Sequence, residues 1–373
     1  MASTFWEIVE AIIFDGNYLR GGNRMNIDQL IEKIEPLNVE AMQKAMERLN
    51  NLTKPPGSLG VLEDLVVQLA GITGDFMPRA ANKTVIVMAG DHGVVEEGVS
   101  IAPQSVTPQM VYNFLKGGAG INVLARCAGA RVKVVDVGVA DPTLSGPGLI
   151  SRKVRLGTAN MTKVAAMSRE EAVQAISIGA EAAETEIDQG ADLLATGEMG
   201  IGNTTPSSAI LAVYTETALP VIVGRGTGLD DEGVQRKIRA IETAIRVNKP
   251  DPGDPLDVLA KVGGLEIAGM TGIILGAAAR RVPVVIDGFI SGVAALIACK
   301  ITPRAKDYII ASHLSEEPGH KIVLEAIGLE PMLRMRMRLG EGTGAALAFN
   351  LIEAATRIMH EMATFAEAGV IMD

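Results

Sequence analysis

Thr84-Val85-Ile86-Val87-Met88-Ala89-Gly90-Asp91-His92 is the stretch that decides the fold. Its apolar run is unbroken from Val85 to Ala89, and it stops at a glycine followed by two polar residues. A strand that is apolar at every position is buried on both faces, which implies a parallel sheet covered by helices. Runs of the same kind recur at Val132 to Gly138, Leu193 to Gly197, Leu219 to Gly224, Pro283 to Gly288 and Tyr308 to His313. Helical patterns lie between them, at Arg169 to Gln189, Glu232 to Asn248 and Asp257 to Ala279. This alternation predicts an α/β fold with a Rossmann-like, mostly parallel sheet and helices on both faces. Ligands of such sheets bind beyond the carboxyl ends of the strands. Asp91, His92, Gly197, Glu198, Gly224, Asp287, Ser312 and His313 are expected to gather there.

Outside the alternation are N-terminal helices up to about Gly74 and a C-terminal helix from about Gly344. The expected organisation is a small helical domain from residues 25–80 with 345–373, and a catalytic domain from 81–344. Residues 1–24 read as an extension, with Met25 as a natural start or with one extra helix ahead of it. No internal repeat or low-complexity tract appears.

Composition sets the boundaries of function. The 373 residues are 48% apolar with a formal net charge of -10, which suits a globular protein and not one that coats nucleic acid. Aromatic residues make up 3%, too few for base-stacking platforms. Cys127 and Cys299 stand apart without metal-site spacing, which fits a reducing, cytoplasmic setting. Glu7 and Glu10 interrupt the N-terminal apolar stretch, against a signal peptide. The longest apolar run, Ile267 to Ala279, falls short of the roughly 18 residues a membrane span needs.

Two glutamates sit inside glycine-rich loops, Gly197-Glu198-Met199-Gly200-Ile201-Gly202-Asn203-Thr204-Thr205 and Leu339-Gly340-Glu341-Gly342-Thr343-Gly344. Glycines let backbone N–H groups approach an anion while the carboxylate stays available for proton transfer. The first loop follows a strand and precedes an apolar helix near Pro206, so a phosphate there meets N–H groups and a helix N-terminus. It is neither a Walker A loop nor a dinucleotide fingerprint, and a plain capped turn is the competing reading. For Glu341 the competing reading is a charge that complements a helix dipole, although its flanking glycines give up stability that such a role does not require. Lys237, on a predicted helix, is either a point charge for a monophosphate or a solvated lysine. Lys54-Pro55-Pro56-Gly57-Ser58-Leu59-Gly60 reads as a rigid turn between helices. Asp91-His92-Gly93 and Ser312-His313 lack the contexts of a metal site or a serine nucleophile, and are expected to hold loops through hydrogen bonds. Asp230-Asp231 is similar to the ribose loop of pyrophosphate-dependent phosphoribosyltransferases, but the phosphate loop that should follow is absent.

Together the motifs resemble the nicotinate-nucleotide:dimethylbenzimidazole phosphoribosyltransferase family from about Met25 to the C-terminus. The matching segments are Lys54 to Gly60, Gly90 to Val94, Thr196 to Thr205, Lys261 to Gly264, Gly269 to Gly272, Asp287 to Phe289 and Arg338 to Ala348. The resemblance implies transfer of 5-phosphoribosyl from nicotinate mononucleotide to 5,6-dimethylbenzimidazole or a related base, giving α-ribazole 5′-phosphate and nicotinate. It makes Glu341 the base and Glu198 its assistant. It gives Gly200, Ile201, Gly202, Asn203, Thr204 and Lys237 to the phosphate, with Ser315 as an additional contact; Asp287, Asp91 and His92, at the strand ends, are counted with the substrate-binding candidates. It implies a homodimer, small-molecule partners only, and no cofactor or metal, since the donor is a monophosphate. The chemistry agrees: nicotinate leaves from a pyridinium without a general acid, whereas the incoming imidazole must lose its N–H proton to a base. One departure is Ala102 and Met110, where some members place Ser and Gln, and a wider range of bases is expected. The alternatives are a nucleotide N-glycosidase and a non-catalytic nucleotide-binding regulator.

Overall fold

The computed structural model describes residues 27–371; the extension read at residues 1–24 lies outside them. In chain order the first elements are α1 (Ile27–Glu32), α2 (Val39–Asn51), α3 (Val61–Thr73), β1 (Lys83–Gly90), α4 (Val106–Leu115), α5 (Gly120–Cys127), β2 (Arg131–Gly138) and β3 (Leu149–Ser151). Next come α6 (Arg169–Asp188), β4 (Leu193–Met199), α7 (Thr204–Thr215), α8 (Leu219–Ile222), α9 (Asp231–Asn248), α10 (Pro255–Val262) and α11 (Leu265–Ala279). The chain ends through β5 (Val284–Ile286), α12 (Phe289–Ile301), β6 (Ile309–Ala311), α13 (Pro318–Ile327), α14 (Thr343–Glu361) and α15 (Phe365–Ala368).

The strands form one sheet in the order β3-β2-β1-β4-β5-β6, and every pairing is parallel. Strand β1 is buried along its whole length, as its unbroken apolar run predicts. Its alternate residues serve two cores. Ile86 and Met88 belong to the core shared with α6, α9, α11 and α12, while Val85, Val87 and Ala89 belong to the core shared with α2, α3, α4, α5 and α14. Each fully buried aliphatic side chain contributes about 1.5–3 kcal/mol, so both layers are needed to hold the sheet. The order of strands reverses between β1 and β4, and their carboxyl ends therefore flank the crevice where such sheets take ligands.

Three expectations change. Leu219 to Gly224 is not a strand but the short helix α8, because Pro220 lacks the N–H of a ladder and sits in the first helical turn. The sixth strand is instead Leu149–Ser151, directly after a Gly-Pro-Gly segment and too short to show a period. Asp257 to Ala279 is two helices, broken where Gly263 and Gly264 take extended backbone. Lys54 to Gly60 does form the turn between α2 and α3, with Lys54 paired to Glu63 at 2.8 Å. No helix among the described residues is long and apolar enough to cross a membrane.

Candidate active site

A cavity of about 380 Å³ opens at the carboxyl ends of β1, β4 and β5. Its wall includes Glu198 at the end of β4, Gly200, Ile201, Gly202, Asn203 and Thr204 from the turn into α7, Asp287 after β5, Ser315 after β6, and Glu341 ahead of α14. Ala102 and Met110 line it from the segment after β1, beside Val99 and Val106. The sheet thus brings to one place residues as far apart in the chain as Val99 and Glu341.

The two glycine-framed loops touch. The Glu341 N–H donates to Glu198 Oε1 at 3.4 Å, and Asn203 Nδ2 donates to Glu198 Oε2. A Cβ on Gly197 would overlap the Glu341 carbonyl, and one on Gly340 would overlap Glu198 Oε1, so the glycines are what allows the contact. Glu341 itself has a left-handed backbone, φ 63°, between Gly340 at 84° and Gly342 at 94°. For a residue with a Cβ this costs about 1–2 kcal/mol. The cost is held by Asp287, whose carboxylate accepts from the N–H groups of Gly342 at 3.1 Å, Gly344 at 2.7 Å and Ala345 at 3.2 Å. Asp287 is therefore a clamp on the start of α14 as well as part of the cavity wall.

The electrostatics separate the two acids. Burial pushes the Glu198 carboxyl up to about 8, reinforced by the negative charges of Glu266 and Asp287, so it is largely protonated at neutral pH. Burial also raises Glu341, with Asp287 adding to the shift, but the N–H groups of Ile121 and Gly120 favour its charged form. The Ile121 N–H donates to Glu341 Oε2 at 3.0 Å. Both residues are nearly out of water, at 8% and 5% exposed. Such groups are stronger proton acceptors than a solvated carboxylate.

Lys237 is not a solvated lysine. It lies two turns into α9, is fully buried, and donates from Nζ to Thr204 Oγ1 at 2.6 Å and to the Gly224 carbonyl at 3.4 Å. Burial lowers its pKa to about 8, opposed by the charge of Glu317. It stands behind Thr204, with the cavity on the far side.

Asp91 and His92, grouped on sequence with the substrate contacts, are placed behind the loop and outside the cavity wall. Asp91 Oδ1 accepts from Thr107 Oγ1 at 2.6 Å, and that hydroxyl in turn accepts from the Ile201 N–H at 3.2 Å. His92 Nε2 meets Glu266 Oε1 at 2.9 Å in full burial; burial works against the charged imidazole, but the Glu266 carboxylate and its hydrogen bond outweigh it and raise the His92 pKa above the usual histidine value. Asp230 caps α9 through the Gly233 N–H at 2.8 Å, and Asp231 pairs with Arg225. Thr107, Ile121, Glu266 and Glu317 are not singled out by the sequence. A buried threonine, a backbone N–H or an acid on an apolar helix carries no local signal; their places are set by tertiary contact.

Comparison with known proteins accords with this geometry. A family model described as Phosphoribosyltransferase matches residues 34–370. The chain is 57% identical to the nicotinate-nucleotide–dimethylbenzimidazole phosphoribosyltransferase of Desulforamulus reducens, over 92% of this chain and 98% of that one. It is 58% identical to the protein of that name from Desulforudis audaxviator, over 91% and 96%. Among solved structures it is similar to CobT from Thermus thermophilus, with a TM-score of 0.86 and 48% identity over 90% of this chain and all of that one. The clustered glutamates, the glycine loop and this likeness along nearly the whole chain lead to one conclusion: the chain is an enzyme of the nicotinate-nucleotide–dimethylbenzimidazole phosphoribosyltransferase family.

Proposed function

We propose that the protein transfers the 5-phosphoribosyl group from nicotinate mononucleotide to 5,6-dimethylbenzimidazole or a related base, releasing nicotinate and forming α-ribazole 5′-phosphate. The observation that carries this reading is Glu341, a desolvated carboxylate held in a strained loop on the wall of a mostly apolar cavity. One ring nitrogen of the base attacks the anomeric carbon with its lone pair as the bond to the pyridinium nitrogen breaks. The N–H on the other ring nitrogen passes its proton to Glu341. The sugar is oxocarbenium-like between these events, and the neighbouring Asp287 carboxylate stabilises that positive charge, while the largely neutral Glu198 positions the Glu341 loop. The phosphate meets the N–H groups of the Gly200 to Thr204 loop other than those of Ile201 and Asn203, which Thr107 and Gly200 already take, with Lys237 behind Thr204 as its counter-charge and Ser315 as an added donor. Asp91 and His92 act from behind by fixing that loop.

Ala102 and Met110 give the base an adaptable apolar slot, which favours a range of benzimidazoles. The family likeness supports a homodimer, and the isolated free cysteines support a cytoplasmic setting. Of the helical unit read at residues 25–80 with 345–373, α2 and α3 back the Glu341 loop by sharing apolar packing with α14, whereas α1 joins the core on the other face of the sheet.

The test is incubation of the purified protein with nicotinate mononucleotide, with and without dimethylbenzimidazole, followed by mass spectrometry. The expected result is α-ribazole 5′-phosphate and nicotinate only when the base is present. Ribose 5-phosphate released regardless of the base would make the protein a nucleotide N-glycosidase. No turnover with any base would leave a binding protein.

A further inference from the structure

Four carboxyls line the cavity: Glu198, Asp287, Glu317 and Glu341. Three are engaged by the protein. Glu198 accepts from Asn203 and the Glu341 N–H, Asp287 from three backbone N–H groups, and Glu341 from Ile121. Glu317 differs, for its Oε2 is buried without a hydrogen-bond partner. The residue is 8% exposed, at the start of α13, where its N–H donates to Ser315 Oγ at 3.3 Å. It also lines a second hollow that shares Gly226 and Arg338 with the first, so its carboxyl stands in the partition between them. A buried acceptor left unpaired is costly unless a ligand supplies the donor.

The local geometry says where that donor comes from. Gly224 has no side chain, and a Cβ there would overlap Glu317 Oε2 and come within 2.8 Å of Pro318, so the chain leaves room for this carboxyl. The carbonyl of the same Gly224 accepts from Lys237 Nζ. A Cβ on Gly226 would lie 3.6 Å from Lys237 Nζ and 3.1 Å from Thr204 Oγ1, so this corner adjoins the groups assigned above to the phosphate. In a ribosyl monophosphate the ring hydroxyls lie within a few bonds of the phosphate, and they are neutral donors. A carboxylate beside a phosphate is repelled by it but is well matched to a hydroxyl pair.

We propose that Glu317 is the ribose-binding carboxylate of this enzyme, accepting hydrogen bonds from ring hydroxyls of the ribosyl phosphate donor and so selecting ribose over deoxyribose. This rests on the phosphoribosyl-transfer reading. Glu317 touches substrate but takes no proton; it sets the rotation of the sugar between the phosphate loop and Glu341. Its position beside Gly224 also supports the charge of Lys237, and the experiment separates the two contributions.

Steady-state rates are compared for nicotinate mononucleotide and its 2′-deoxy and 3′-deoxy analogues, with wild type, Glu317→Gln and Gly224→Ala. Glutamine keeps the volume of the side chain and removes the charge; Gly224→Ala leaves the charge and displaces the carboxyl. Wild type is expected to prefer the ribose donor over at least one deoxy analogue by roughly 10- to 100-fold in kcat/KM, the scale of a hydrogen bond to a charged group. Both variants are expected to lose that preference, falling on the ribose donor while staying within about twofold of wild type on the analogue that lacks the contacted hydroxyl. An equal fall on all three donors, or no fall, would overturn the assignment and leave Glu317 to Lys237 or to the fold. A second readout does not need turnover: Glu317→Gln should weaken binding of ribose 5-phosphate and spare inorganic phosphate, and equal weakening of both would also overturn it. If wild type makes no nucleotide from any base, the transfer reading fails, and this binding comparison still decides the role of the carboxyl.

Discussion

The loop that carries Glu198 and the loop that carries Glu341 look alike in sequence and are built in different ways. Glu198 lies at the end of β4 in extended backbone, and both its oxygens are satisfied by Asn203 and the Glu341 N–H. Glu341 has no strand beneath it. It is held in a left-handed conformation by its glycine neighbours and by the Asp287 clamp. The difference teaches that one acid is a fixed element of the wall, largely neutral at pH 7, while the other is a presented group whose charged form is supported by two N–H groups. Backbone strain is stored at one of two similar loops, and it is the one proposed to carry the base.

The largest test of this contrast is Glu341→Gln. Loss of a general base lowers kcat by about 10²–10⁴-fold, with the melting temperature close to wild type. Activity within twofold of wild type would break the comparison outright. Lys237→Gln comes next, with KM for nicotinate mononucleotide raised roughly 10- to 100-fold and kcat less affected, since it removes a charge-assisted contact and not the base. In wild type the same KM should climb as pH rises through about 8, where Lys237 loses its proton. A flat profile would place the phosphate elsewhere.

Gly197→Ala attacks the contact between the loops. Its Cβ meets backbone of Glu341, so about 1–3 kcal/mol of stability and most of the activity should be lost together, read by thermal melting and turnover. An unchanged melting temperature would show that the loops do not depend on each other. Glu198→Gln is milder at neutral pH, because it replaces a carboxyl that is already mostly protonated. Its mark is in stability. A carboxyl at about 8 in the folded state and near 4.5 in the unfolded chain costs nothing below pH 4.5. The cost grows as pH rises, while the unfolded chain ionises and the folded one does not, and it levels off above about 8. Glu198→Gln should therefore flatten the fall in melting temperature from about pH 5 to 8; a parallel profile would refute the buried neutral acid. The smallest effect lies outside both loops. A panel of benzimidazoles should react at rates within about tenfold of one another, and Ala102→Ser with Met110→Gln should widen that spread. Strict preference for dimethylbenzimidazole in wild type would sink the adaptable slot.

Much of this was legible in residues. The unbroken run at Val85 to Ala89 reports a strand buried on both faces, and its alternate side chains do enter two cores. Leu219 to Gly224 has the same apolar look but goes helical, since a proline at its second position outweighs β-branching. Leu149–Ser151 was invisible, because three residues at a sheet edge have no period to read. Lys237 was ambiguous for a different reason: helix periodicity does not tell which layer covers a given face, and α7 decided it.

What the sequence alone determined was chemical inventory and class: a parallel α/β sheet, two glutamates framed by glycines, a glycine-rich turn at the end of a strand, and family membership carried by motifs along nearly the whole chain. Tertiary structure decided the division of labour. Only the parallel order β3-β2-β1-β4-β5-β6 brings Glu198, Asp287, Glu317 and Glu341 to one cavity, and only their mutual distances show which oxygens are taken. The physical reason is that residue type and spacing fix what a group can do, whereas burial and the partners that reach it fix whether it is charged, neutral or free to meet a substrate.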